Sequence, residues 1–76
     1  MIFMNLKTAQ PGKVYTVQRI EIDDAELLGF LFSLGCYTGE PITVIFRRRG
    51  SCVVAIKDGR YSIDKNLAAA ILVTDI

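Results

Sequence analysis

The sequence predicts a mainly β domain: a small, partly open β-barrel with one α-helix inserted after the first strand and a short helical turn near the C-terminus. Three observations lead there. Apolar residues alternate with polar ones in several short runs, the period-two signature of half-buried strands. One ten-residue stretch, Ala25–Leu34, is instead apolar nearly throughout and lies between a carboxylate cap and a glycine stop. The 76 residues make a single domain, residues 1–76, so small that folding buries only ~60% of the unfolded chain's surface. Open sheet edges are costly to protect at that size, and curling the strands into a barrel removes most of them.

Taken in order, Leu6, Lys7, Thr8, Ala9 and Gln10 allow no more than one helical turn, with Asn5 as its cap, before Pro11 and Gly12 turn the chain. Residues 13–22 read as a strand. Tyr15 and Val17 share one face, whereas Ile20 and Ile22 fall on the other, so a bulge or sharp bend is expected near Gln18 and Arg19. Asp23, Asp24 and Glu26 then place carboxylates at a helix start, where free amides and the helix dipole favour them. The helix is expected over residues 24–34, with Leu27, Leu31 and Leu34 inward, plugging one end of the barrel or lying across its seam.

Gly35 supplies the left-handed residue that closes a helix, and Thr38 and Gly39 make a second turn before Pro41 begins a strand. Ile42, Val44 and Phe46 alternate with Thr43, Ile45 and Arg47. Gly50 and Ser51 reverse the chain, Cys52, Val54 and Ile56 repeat the alternation, and Asp58-Gly59 signals a two-residue hairpin into Tyr61 and Ile63. The result is a three-strand meander. A short helical segment over residues 64–70 and a final strand at Ile71, Leu72 and Val73 complete the chain, with no internal repeat or linker.

Composition narrows function by exclusion. Nine basic and eight acidic residues leave a net charge of +1, weak grounds for a polyanion partner. Two cysteines, Cys36 and Cys52, stand without any histidine, so no transition-metal ligand set is expected, and both are read as buried thiols of a reducing compartment. The start Met1-Ile2-Phe3-Met4 lacks the basic n-region of an export signal, and no run approaches the ~20 apolar residues of a membrane span. Catalytic residues are not expected. There is neither an imidazole base nor a glycine-rich phosphate loop, and Cys36, just past a helix end, is poorly placed to ionise.

Three motifs together resemble one family. Leu6-x-x-Ala9-x-Pro11-Gly12 is similar to the opening L-x-x-L-x-P-G of the ferrous iron transport protein A (FeoA) family, with alanine for the second leucine. Leu31-Phe32-Ser33-Leu34-Gly35-x-x-x-Gly39-x-x-Ile42-x-Val44 resembles its central L-L-x-L-G-x-x-x-G-x-x-V-x-V, and Asn66-Leu67-Ala68-Ala69-x-Ile71-x-Val73 its closing S-x-A-x-x-I-x-V. The resemblance spans nearly the whole chain. It implies an SH3-like barrel and a cytoplasmic accessory protein of bacterial ferrous iron uptake. In that role it would bind or regulate the GTP-driven transporter FeoB on the inner face of the membrane, reaching the membrane only through that partner. It also implies no enzyme activity and no cofactor. Transition-metal binding is a family term for which this chain offers no ligand set.

Function is therefore sought in surfaces. Seven of the ten residues in Ala25–Leu34 are apolar, more than one buried face requires. Ala25, Gly29 and Ser33 recur every fourth residue on the side away from the core, a small-residue stripe that would admit another helix. The family pattern carries charge where this chain has Leu28, Gly29 and Phe30. Either Leu28, Phe30 and Phe32 tuck against the strands, or Ala25, Leu28, Gly29, Phe30 and Ser33 dock a partner, the transporter or a second copy of this chain.

The Arg47-Arg48-Arg49 run reads either as a solvated strand end or as a partner contact, with an arginine finger offered to a GTPase as its most specific form. Four of the eight acids lie at residues 21–26 and six of the nine basic residues from Arg47 onward, so the domain is electrically lopsided. An alternative to the interaction module is a small nucleic-acid-binding barrel using these arginines with Tyr15, Tyr37 or Tyr61. Near-neutral charge and scattered aromatics weigh against nucleic acid. A third alternative is a free-standing regulatory domain of another iron-responsive protein.

Overall fold

A computed structural model describes residues 4–75. The reading of the Met1 to Met4 start therefore lies largely outside the described residues. The elements run β1 (Met4–Asn5), β2 (Val14–Ile20), α1 (Ala25–Leu34), β3 (Pro41–Arg48), β4 (Ser51–Ile56), β5 (Gly59–Asp64), α2 (Lys65–Ala70) and β6 (Ile71–Asp75). The strands form one antiparallel sheet in the order β1-β6-β2-β3-β4-β5.

The sheet is open, which corrects the expected barrel: among the described residues β5 and β1 do not pair. With only two residues, β1 offers too short a ladder to close a ring, and shortness is itself a way to blunt an edge. α2 lies in the gap, against β1, β4, β5 and β6. The seam role expected for the long helix thus falls to the short one, and β1 is a strand the periodicity gave no sign of.

Inside the curl sits a single core of alternating side chains: Tyr15 and Val17 from β2, Ile42 and Val44 from β3, Cys52, Val54 and Ile56 from β4, and Ile71 and Val73 from β6. Leu31 of α1 is fully buried, with Leu27 and Leu34 half-buried against the same core, so the inward face of the helix is as the periodicity predicts. Tyr15 is the largest buried side chain, and its phenolic oxygen accepts from the Gln10 amide at 2.9 Å, fixing the loop before β2. Before that loop, the Asn5 side chain accepts from the Thr8 amide at 3.3 Å, the local cap expected there.

Two bulges shape the sheet. In β2 the register against β6 shifts between Val17 and Arg19, where the change of parity in the sequence predicts it, and Gln18 is the extra residue. In β3 a second shift falls between Val44 and Phe46, making Ile45 the extra residue. This one overturns the simple alternation. Phe46, expected on the inward face with Ile42 and Val44, is 40% exposed opposite Val53. Arg47 instead stands opposite the buried Cys52, and its guanidinium donates to the Ala9 carbonyl, with a longer contact of 3.5 Å to the Leu6 carbonyl.

The β4–β5 hairpin also differs by one place. Its two loop residues are Lys57 and Asp58, since Ile56 pairs with Gly59. Lys57 takes the left-handed conformation at φ 51°, and Gly59 already belongs to β5. A Cβ on Gly59 would press on the outer end of the Tyr61 ring, which would have to swing aside. α1 starts on Asp24, whose carboxylate accepts from the amides of Glu26 (3.0 Å) and Leu27 (3.3 Å). It ends on Gly35 at φ 93°. α2 is capped likewise by Asp64, which accepts from the Leu67 amide at 2.7 Å.

These placements predict opposite outcomes for two glycines. Gly35→Ala should cost about 1–2 kcal/mol, because φ is left-handed there and a Cβ would press on the Lys57 stem at 2.7 Å. Gly29→Ala, in open space on the helix, should instead gain about 0.5–1 kcal/mol. Urea midpoints at unchanged slope read both. Arg47→Ala should cost about 1–2 kcal/mol by leaving the Ala9 carbonyl without its charged donor, whereas Arg49→Ala should stay within about 0.5 kcal/mol.

Candidate functional site

α1 presents two faces of different character. Leu31 is buried beneath it, while Phe30 is 50% and Phe32 64% exposed. The reading in which these two rings tuck against the strands is thus not what the fold does; only Leu28 is half-buried. Ala25, Gly29 and Ser33 are exposed beside the rings, and a Cβ on Gly29 would meet no atom within 4 Å. The Ser33 hydroxyl donates back to the Phe30 carbonyl at 2.6 Å, which turns its polarity inward and leaves the stripe smooth.

The aromatic surface continues past the helix end. Phe32 stacks on Tyr37 with centroids 4.8 Å apart and planes at 29°. The Lys57 ammonium lies 5.7 Å from the centre of the Tyr37 ring and bonds the Glu40 carboxylate, while its stem crosses Gly35. The bond to Glu40 holds the Lys57 ammonium protonated above its ordinary 10.5. Its contribution is therefore full at neutral pH and fades only as pH rises through that raised value. One lysine thus ties the β4–β5 hairpin to the end of α1. Near the other end of the helix a cavity of about 210 Å³ is lined by Ile22, Leu27, Asp64, Asn66 and Leu67, between the two helix starts.

The arginine run divides three ways. Arg47 is turned onto the Leu6 and Ala9 carbonyls, Arg48 lies 5.1 Å from the exposed Phe46 ring, and Arg49 is exposed in the turn. Arg47 and Arg48 share with Lys7 and Lys65 the walls of a cavity of about 220 Å³. Sequence reasoning did not single out Lys7 and Lys65, which are 58 positions apart. Tyr37, Glu40 and Lys57 were likewise missed as a group, since only the curl of the sheet joins them.

Neither thiol is poised for chemistry. Burial pushes Cys36 up to about 11, and it also raises Cys52, against the opposing charge of Arg47. Among the described residues no three cysteine or carboxylate side chains gather as a ligand set, and no helix is long and apolar enough to cross a membrane.

Comparison with known proteins follows the same lines as the fold. An iron uptake regulatory protein, FeoA, superposes with a TM-score of 0.84 at 23% identity, each chain covered over 100% of its length, and at that identity it shows the shared fold. A manganese-dependent transcriptional repressor matches at 28% identity and TM-score 0.87 over 97% of this chain and 42% of its own. The iron(II) transport protein A of Clostridium thermocellum matches at 25% identity and TM-score 0.86, over 96% of this chain and 46% of its own. The chain thus spans less than half the length of those two relatives. No curated protein matches it significantly. The sequence model of the FeoA domain matches residues 4–75, and with that cover the chain belongs to the FeoA domain family.

Proposed function

We propose that this protein is a non-enzymatic accessory module of ferrous iron transport that docks on the cytoplasmic region of the transporter FeoB. Its cellular place would then be the inner face of the membrane, reached through that partner. Family membership supports the role in iron transport, as do the iron(II) transport and iron uptake names borne by two of its structural relatives. The single observation that carries the docking reading is the outer half of α1, where Phe30 and Phe32 stay exposed although the helix needs only Leu27, Leu31 and Leu34 to seat itself. Exposed apolar rings beside a flat stripe of small residues suit a partner helix laid across them. Arg48 and Arg49 offer a separate cationic contact, whereas Arg47 is held by the fold.

A second reading rests on the likeness to the manganese-dependent repressor, of which this chain covers only one part: a free-standing regulatory domain acting on another metal-responsive protein. The same face would serve, with a different occupant. A second copy of this chain is a further occupant of that face.

The test uses the whole protein and detergent-solubilised transporter. Gly29→Leu fills open space on the stripe, so its unfolding midpoint should hold or rise while co-purification with FeoB is lost. Phe30→Ser should weaken association about tenfold or more, as loss of an aromatic anchor does. Undiminished capture of both variants would remove the docking face. Capture of neither wild type nor variants, together with a wild-type dimer that Gly29→Leu dissociates, would assign the face to a second copy.

A further inference from the structure

The cavity of about 220 Å³ between the β3–β4 turn, the loop before β2 and the start of α2 has walls of one sign. Lys7, Arg47, Arg48 and Lys65 line it, together with Ser51 and Cys52, and no carboxylate does. Elsewhere on the molecule Lys13 pairs with Asp75 at 2.9 Å, Arg19 with Glu21 at 3.4 Å, and Lys57 with Glu40, whereas Arg49 and Arg60 make no ion pair among the described residues. Among the described residues none of the four cations of the cavity has an ion-pair partner. Asp64, which stands opposite Ser51 in the β4–β5 ladder, turns its carboxylate to the Leu67 amide and does not reach the cavity.

Four like charges gathered around one small volume raise the local positive potential and favour an anion there. The fold builds this arrangement from three separate parts of the chain. The Ile45 bulge turns Arg47 to this side, and the Ala9 and Leu6 carbonyls brace its guanidinium. The space exceeds by several-fold the ~30 Å³ share of one water. Its floor adds no negative charge, since burial keeps the Cys52 thiol protonated at neutral pH.

We infer that this cavity is a binding site for a small diphosphate-bearing anion. The charge count selects the class: a single carboxylate would neutralise one of four cations, whereas a pyrophosphate group carries roughly three negative charges at neutral pH. The Arg48 guanidinium and the two flexible ammonium groups suit that class, the former for bidentate bonds to phosphoryl oxygens and the latter as point charges, while Arg47, braced on the Ala9 and Leu6 carbonyls, adds its charge. The Ser51 hydroxyl supplies a neutral donor at the edge. This site shares no residue with the outer face of α1 and only Arg48 with the cationic contact of the docking reading, and its test uses the free chain alone, so the two fail separately.

The experiment is an amide NMR titration of the full chain with inorganic pyrophosphate, orthophosphate and adenosine diphosphate as probes. Pyrophosphate should shift the amides of Lys7, Arg48, Ser51 and Lys65, bind about tenfold tighter than orthophosphate, and weaken as salt rises from roughly 50 to roughly 300 mM. Arg48→Ala and Lys65→Ala should each lose about tenfold in affinity, the worth of one charge-assisted bond. Arg49→Ala and Arg60→Ala, which remove equal charge outside the cavity, should stay within about twofold. Adenosine diphosphate binding with the same variant pattern assigns the diphosphate to a nucleotide; pyrophosphate binding alone assigns it to the free anion. Three results would each overturn the site: no shift at roughly 10 mM of either diphosphate, equal affinity for orthophosphate, or equal losses in the Arg49 and Arg60 variants.

Discussion

A six-stranded sheet of very short strands can enclose a core only if it bends sharply, and here the bending is done by two extra residues, Gln18 and Ile45. A bulge raises the local twist and shifts the side-chain parity beyond it. In β2 the shift returns Ile20 to the core side after the polar pair Gln18 and Arg19. In β3 it does the reverse, turning Phe46 outward and setting Arg47 opposite Cys52, so that the end of the strand directs a guanidinium to the Ala9 carbonyl where an apolar side chain was expected on that face. Core packing, loop anchoring and the surface charges near the β3–β4 turn all follow from those two insertions.

The helix depends on that curl in turn. Leu31 reaches the core because the bent sheet presents a concave face to it, and Gly35 lets the chain turn back under the Lys57 stem. Lys57 then joins Glu40 and Tyr37, locking the hairpin loop against the helix end with one charged and one aromatic contact. What remains of α1 is exposed: two phenylalanine rings, one of them stacked on Tyr37, and a smooth run of small side chains. Rigid seating behind and apolar exposure in front are what the proposed docking of a partner on this helix face would use.

Charge is distributed on the same principle of local commitment. The acids at residues 21–26 cap α1 or pair nearby, as Asp24 does with the Glu26 and Leu27 amides and Glu21 with Arg19. Three of the six cations late in the chain, Arg47, Arg48 and Lys65, line one cavity together with Lys7. Near-neutral net charge therefore conceals two surfaces of different chemistry, one apolar and one cationic, on one small domain.

Much of this was legible in the residues. The cap at Asp24, the stop at Gly35, the inward trio Leu27, Leu31 and Leu34, and the bulge near Gln18 are local matters of φ, hydrogen-bond donors and side-chain period, and local chemistry suffices to decide them. The Ile45 bulge was not legible, because Phe46 and Arg47 alternate as well in a flat strand as in a bent one. The closure of the sheet was not legible either, since the two-residue β1 has no periodicity to read. By itself the sequence determined the elements, the family pattern and the surplus of apolar residues on α1. Only tertiary structure decided that Phe30 and Phe32 face outward, and that Lys7, Arg47, Arg48 and Lys65 line one cavity. Exposure and convergence belong to pairs of elements distant in the chain, and no spacing within one element encodes them.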